Sequence, residues 1–187
     1  AYVKGDKAAY ELETKKILEI HPGFGEVYRA VGDLAARNYR FDEAVALTRQ
    51  AVQLDPGLAR GHGDLGMHLL RTGDEEEARR ALDRSFKIDP YQRVTYNLLM
   101  LLDKLDGFTV VKDGDIILKM HPDEAPVLKE YALPLARDAL KILSAKYRFT
   151  PKGPILIEIF PIHDDFAVRN LGLPGMIGAL GACFGRV

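Results

Sequence analysis

Pro22, Pro56 and Pro90 stand 34 residues apart, and each closes an apolar-then-polar pair: Ile20-His21, Leu54-Asp55 and Ile88-Asp89. A fixed period of this length limits the fold more than composition does. Each copy must be one supersecondary unit that buries its apolar face only against its neighbours. Other columns keep the step: Tyr10, Ala44 and Ala78; Thr14, Thr48 and Leu82; Tyr28, His62 and Tyr96; Val31, Leu65 and Leu99. Gly32 and Gly66 align, with Met100 in the third copy, and Gly107 lies one step after Gly73. The clearest copy runs from Ala59 to Pro90. It holds two helical patterns separated by Thr72-Gly73-Asp74, where glycine suits a left-handed helix end and aspartate caps the next helix. Ala78, Leu82, Phe86 and Ile88 give the second helix its apolar spacing.

A 34-residue helix-turn-helix period with small residues at the helix crossings and a closing proline resembles the tetratricopeptide repeat family. Small residues are needed there because packed helix axes lie only about 8–10 Å apart. The resemblance implies an α-helical superhelix over residues 1–107. It comprises one trailing helix (6–20), two full repeats (25–56 and 59–90) and a third leading helix (93–105). Asn38-Tyr39-Arg40 departs from the turn glycine, and Tyr10 from the expected small residue. An uncovered half repeat at the start, the absence of an initiating methionine and an end in mid-pattern suggest a piece of a longer chain with further repeats ahead of it.

The period fails after Pro90. Phe108–Lys112 and Ile116–Met120 are β-rich runs around Asp113-Gly114, a hairpin signal. Asp123 is the expected cap of a long helix reaching Tyr147, with Val127, Leu128, Tyr131, Ala132, Leu135, Ala139, Leu143 and Tyr147 on its apolar face. Pro134 either kinks that helix or is tolerated near its start. Ile155–Phe160, fenced by prolines, reads as a well-buried strand, and His163–Asn170 as a short helix. A glycine-rich loop follows, then a glycine-weakened strand over Ala179–Val187. The expected fold class is α+β: a repeat superhelix followed, over 108–187, by a partial α+β domain with a hairpin, a long helix and a mixed sheet.

Phe149–Pro161, His163-Asp-Asp-Phe166 and Gly178-Ala-Leu-Gly-Ala-Cys-Phe-Gly185 resemble the start of the peptidase MA-like (gluzincin) domain, which follows such repeats in some bacterial proteins. The resemblance implies that Gly178, Ala179, Leu180, Gly181 and Ala182 form the edge strand on which a substrate backbone pairs. It also places the zinc-binding helix beyond Val187. The parent would then be a zinc metallopeptidase, while this chain has no catalytic residue and no cofactor of its own. The function expected first is an interaction scaffold joined to that non-catalytic start; the alternative is part of an active zinc metallopeptidase whose His-Glu-x-x-His helix lies beyond Val187.

By analogy with the repeat family, groove side chains would be Arg29, Asp33, Arg37, Arg60, Met67, Arg71, Asn97 and Leu101, with Glu26, Gly63, Val94 and Lys104 beside them. Asp33, Asp64 and Leu98 stand where a clamp for a peptide carboxylate needs amides or cations. The partner class is therefore a protein or peptide without such a clamp. The competing reading is a face that is merely solvated or packed on the following domain.

A net charge of −1 gives no electrostatic case for nucleic acid, and 47% hydrophobic with 28% charged residues is a globular balance. No apolar run approaches the roughly 18 residues of a membrane span. His62 and His68 point to different helix faces, so packing is the reading for His62, and His121 and His163 read as local capping groups. No His-Glu-x-x-His and no nucleophile motif occurs, and metal ligands are not expected. Cys183, the only cysteine, reads as a buried thiol. An open sheet edge could pair with a second copy. Compartment is left undetermined.

Overall fold

The computed structural model describes residues 2–176 and 178–185. The chain divides into two compact units, Ala1–Leu99 and Met100–Val187.

The first unit is helical. After a 3-10 turn at Tyr2–Lys4 come α1 (Lys7–Ile20), α2 (Glu26–Arg37), α3 (Phe41–Leu54), α4 (Ala59–Thr72), α5 (Glu75–Ile88) and the first half of α6 (Arg93–Leu105). The repeat pairs are therefore α2 with α3 and α4 with α5. Their crossings explain the glycine column. A Cβ at Gly32 would sit 2.5 Å from Thr48 Oγ1, and one at Gly66 would sit 2.5 Å from Leu82 Cγ. No side chain fits at either crossing. Met100 occupies the third copy of that column and is 45% exposed. A hairpin rather than a trailing helix follows it, so nothing there demands glycine.

The α4–α5 turn forms as the sequence predicts. Gly73 adopts φ +86° and Asp74 N–H donates to the Leu69 carbonyl at 3.0 Å, ending α4. Asp74 Oδ1 then accepts from Glu77 N at 3.0 Å, satisfying one of the free amides at the start of α5. The first repeat achieves the same reversal without glycine. Tyr39 takes φ +59°, a strain of order 1–2 kcal/mol for an L-residue. Its ring packs edge-on against Phe41 at 5.7 Å, and Asn38 Nδ2 donates to the Leu34 carbonyl at 2.7 Å. Between α5 and α6, the buried Ser85 hydroxyl donates to Ala59 O at 2.8 Å and lies 3.1 Å from Thr95 Oγ1.

The second unit begins with the end of α6, whose Leu101, Leu102 and Leu105 are buried. Strands β1 (Thr109–Asp113) and β2 (Ile116–Met120) pair antiparallel around Gly114 at φ +55°. Helix α7 (Ala125–Tyr147) leads to β3 (Ile155–Ile159), which pairs parallel with β2, Ile116 opposite Ile155. The sheet order is β1-β2-β3, a mixed sheet as expected. Alternation puts Ile116, Leu118 and Met120 on the face that α7 covers with Leu128, Ala132 and Leu140. Arg137 of α7 also pairs with Asp113 on the hairpin. Helix α8 (His163–Leu171) closes the unit, and its Arg169 donates Nε to Glu158 of β3 at 2.6 Å.

Four expectations are corrected. The packed face of α7 is Leu128, Ala132, Leu133, Ala136 and Leu140; Val127, Tyr131, Leu135, Leu143 and Tyr147 are exposed. The cap of α7 is Glu124 without a side-chain hydrogen bond, and the Asp123 carboxylate lies instead 3.7 Å from His121 Nδ1. Strand β3 is half-buried rather than well buried, since β2 pairs with it on only one side. Residues 178–185 form no strand: Gly178 and Gly185 take φ +83° and +61°, and Leu180 is 97% exposed. Residues 186–187 of that expected strand lie outside the described residues. Pro134 falls inside α7, which continues past it.

Candidate functional site on α2 and α4

The leading helices α2 and α4 carry six of the eight residues expected to line a peptide groove. Arg29, Asp33 and Arg37 sit at helical spacing on α2, with Arg60, Met67 and Arg71 on α4. Neighbouring leading helices of a repeat array lie side by side, so these rows form one surface.

Arg29 ties the rows together. Its Nε donates to Glu26 Oε2 at 2.7 Å, and a terminal nitrogen donates to Asp64 Oδ2 at 2.6 Å. The Arg29 side chain is only 14% exposed, and the hydrogen bonds it donates to Glu26 hold its guanidinium above its ordinary range. The Arg29 hydrogen bonds in turn hold Glu26 below the usual carboxylate range. Asp64 behaves oppositely: burial of its inner side raises it, and Arg29 only partly offsets that cost. On the trailing helices Arg49 and Glu77 make a second cross-repeat pair at 2.8 Å.

The remaining charges are more open. Arg37 Nε donates to Asp33 Oδ2 at 3.0 Å, and both lie near water. Arg60 is exposed and Met67 half-exposed. The Arg71 guanidinium lies 5.4 Å from the Phe41 ring centroid, a cation–π contact that anchors it. A surface of this kind can meet peptide carboxylates and carbonyls with Arg37 and Arg60 while Met67 accepts an apolar side chain. Arg29 is already spent on protein carboxylates.

The third leading helix fits the expectation less well. Asn97 is half-buried, and Leu101 is 2% exposed, so Leu101 packs rather than presenting a surface. Lys104 Nζ binds Asp165 of α8 at 2.6 Å within the second unit.

The spacing of His68 from His62 separates their helix faces but carries no signal of burial. His68 is 4% exposed, and neither ring nitrogen has a hydrogen-bond partner among the described residues. Burial, with Arg71 next, lowers its pKa to about 4. His62 packs as expected, with Nε2 donating to the Pro56 carbonyl at 3.2 Å. His163 Nε2 donates to Ala179 O at 2.9 Å, a local tether for the segment after α8. Cys183 is exposed, not buried. Among the described residues no three His, Cys, Asp or Glu side chains are placed to hold a metal ion. Among the described residues no helix is long and apolar enough to cross a membrane. The Asp64 role was readable in principle: it lies one period and one residue after Arg29, with opposite charge.

Residues 35–95 match the model of the tetratricopeptide repeat family. No curated protein matches the chain. Among solved structures, a K341M mutant of the Thermobaculum terrenum O-GlcNAc transferase is similar, at 28% identity and a TM-score of 0.43. That match covers 48% of this chain and 17% of the transferase. The family match thus runs from the end of α2 through α3, α4 and α5 to the start of α6.

Proposed function

We propose that the repeat unit is a protein-interaction scaffold that takes an extended peptide across α2 and α4. The observation that carries this reading is the Arg29–Asp64 bond, which joins two repeats into one rigid face and leaves Arg37 and Arg60 toward solvent. Asn97 extends that face onto α6, and Leu101 is left out of it. Selection from a random peptide library on the 187-residue chain tests it. Enriched peptides should lose at least tenfold in affinity to a variant carrying Arg37→Glu and Arg60→Glu, and keep it with Lys15→Glu on α1. A library that yields no binder, or binders indifferent to the double change, overturns the reading.

A finer reading concerns the second unit, as the non-catalytic start of a zinc-metallopeptidase-like domain within a longer parent. Its support is the element order hairpin, helix, strand, helix, and a β3 edge with no strand on the side away from β2 among the described residues. Gly178 to Ala182 would then pair with a substrate backbone only after ordering into a strand. The metal-ligand geometry is absent from the described residues, so no reaction step is assigned to this chain. Calorimetry of the chain with zinc chloride should give no tight stoichiometric binding, and a chelator should abolish peptide cleavage by the parent. Tight zinc binding here, or chelator-insensitive cleavage, removes this reading.

A further inference from the structure

The second unit contains a buried ion pair that neither proposal uses. Glu158 on β3 and Arg169 on α8 have side chains 2% and 5% exposed. Arg169 Nε satisfies Glu158 Oε2 at 2.6 Å, while Glu158 Oε1 has no hydrogen-bond partner among the described residues. Burying an acceptor without a partner is costly, so such an atom requires an explanation.

A cavity of about 220 Å³ lies against this pair. Leu156, Phe160, Phe166 and Phe184 supply apolar walls, and Cys183 stands at its side. An apolar cavity of about 150 Å³ already holds a benzene ring, so an aromatic ring fits by volume. The charge of the carboxylate is matched by Arg169, so a cation entering here would give up water without a net charge to meet. A neutral donor meets the free oxygen without that penalty.

From the orphaned Glu158 oxygen and the apolar cavity beside it, we infer a binding site for a phenolic group, a tyrosine side chain or a small phenol. The ring occupies the space between Leu156 and the phenylalanines, and its hydroxyl donates to Glu158 Oε1. Arg169 positions the carboxylate and keeps it paired whether or not the site is filled. This site is independent of the α2–α4 face.

The probe is p-cresol, compared with toluene by NMR titration of the 187-residue chain. p-Cresol should bind about tenfold more tightly, the effect of one hydrogen bond to a charged group. Glu158→Gln leaves Arg169 buried without its carboxylate and can unfold the unit, so the decisive variant changes both residues, Glu158→Leu with Arg169→Leu. Replacing a buried pair by apolar residues of similar volume often preserves the fold. In that variant the p-cresol preference should vanish. Equal binding of the two probes, binding of neither, or an unchanged preference in a folded double variant overturns the inference.

Discussion

Arg29 of α2 reaches from one repeat to Asp64 of the next, with 2.6 Å between guanidinium nitrogen and carboxylate oxygen. The bond joins positions 35 residues apart and lies on the surface proposed to receive a peptide. Asp64→Asn keeps the shape and removes the charge. Burial outweighs Arg29 at this carboxyl, so its charge is a net cost on folding, and the urea midpoint should stay level or rise slightly with an unchanged slope. Asp33→Asn, which alters a hydrogen bond to the solvated Arg37, should change stability by a few tenths of a kcal/mol.

Gly66→Ala sets two effects against each other. Alanine favours the helix by roughly 0.5–1 kcal/mol, but its Cβ would lie 2.5 Å from Leu82 Cγ and 3.2 Å from the Ala78 carbonyl. Overpacking of about 1–3 kcal/mol wins, so the variant is destabilised. Gly23→Ala, with nothing within 4 Å of the added carbon, should be near neutral in the same thermal melts.

His68 makes the repeat unit sensitive to acid. Its pKa falls from 6.5 to about 4 on folding, so the unfolded chain binds the extra proton between those values. Its contribution is therefore complete above pH 6.5 and lost as pH falls toward 4. The shift corresponds to about 3 kcal/mol by linkage. Arg29 and Arg71 oppose protonation and Asp33 favours it. Urea midpoints from pH 7 to 4 should fall more steeply for the natural chain than for His68→Leu, and identical slopes would remove His68 as the cause.

Pro134 interrupts α7 from within, where it has no N–H to give the Glu130 carbonyl. The side chain is exposed, so Pro134→Ala removes no packing. A gain of up to about 3 kcal/mol in the second unit follows from helix propensity. Amide exchange in α7 should slow accordingly; unchanged or faster exchange would contradict it.

Much of the helical unit was legible because one residue type could satisfy each constraint at the crossings. Gly32 and Gly66 announced close helix contact, and Asp74 announced a cap. Tyr39 was legible only as a departure, since its strain is offset by Phe41 and by hydrogen bonds that no column of the repeat encodes. The second unit was harder to read. On α7 apolar residues ring most of the helix, so periodicity could not tell Leu128 and Ala132 from Val127 and Tyr131; the sheet decided. Gly178–Gly185 carries apolar residues at strand-like spacing, but a strand exists only with a partner, and none lies beside it among the described residues. In the candidate site the rows on α2 and α4 followed from the repeat. Leu101 did not, because α6 continues into the second unit, where it is buried. The expected zinc-peptidase character of that unit rests on resemblance alone, since no described residues gather into a ligand set.

The outer side of α7 has a consequence for measurement. Val127, Tyr131, Leu135 and Ile142 are each more than half exposed, and they recur along one side of the helix. Dyes that fluoresce on contact with apolar surface ordinarily report loosened packing. On this chain they should brighten while every helix is intact, so a dye-based melt would begin from a high baseline and understate cooperativity. Circular dichroism, which reads backbone rather than surface, is the measure that separates the native protein from its unfolding here.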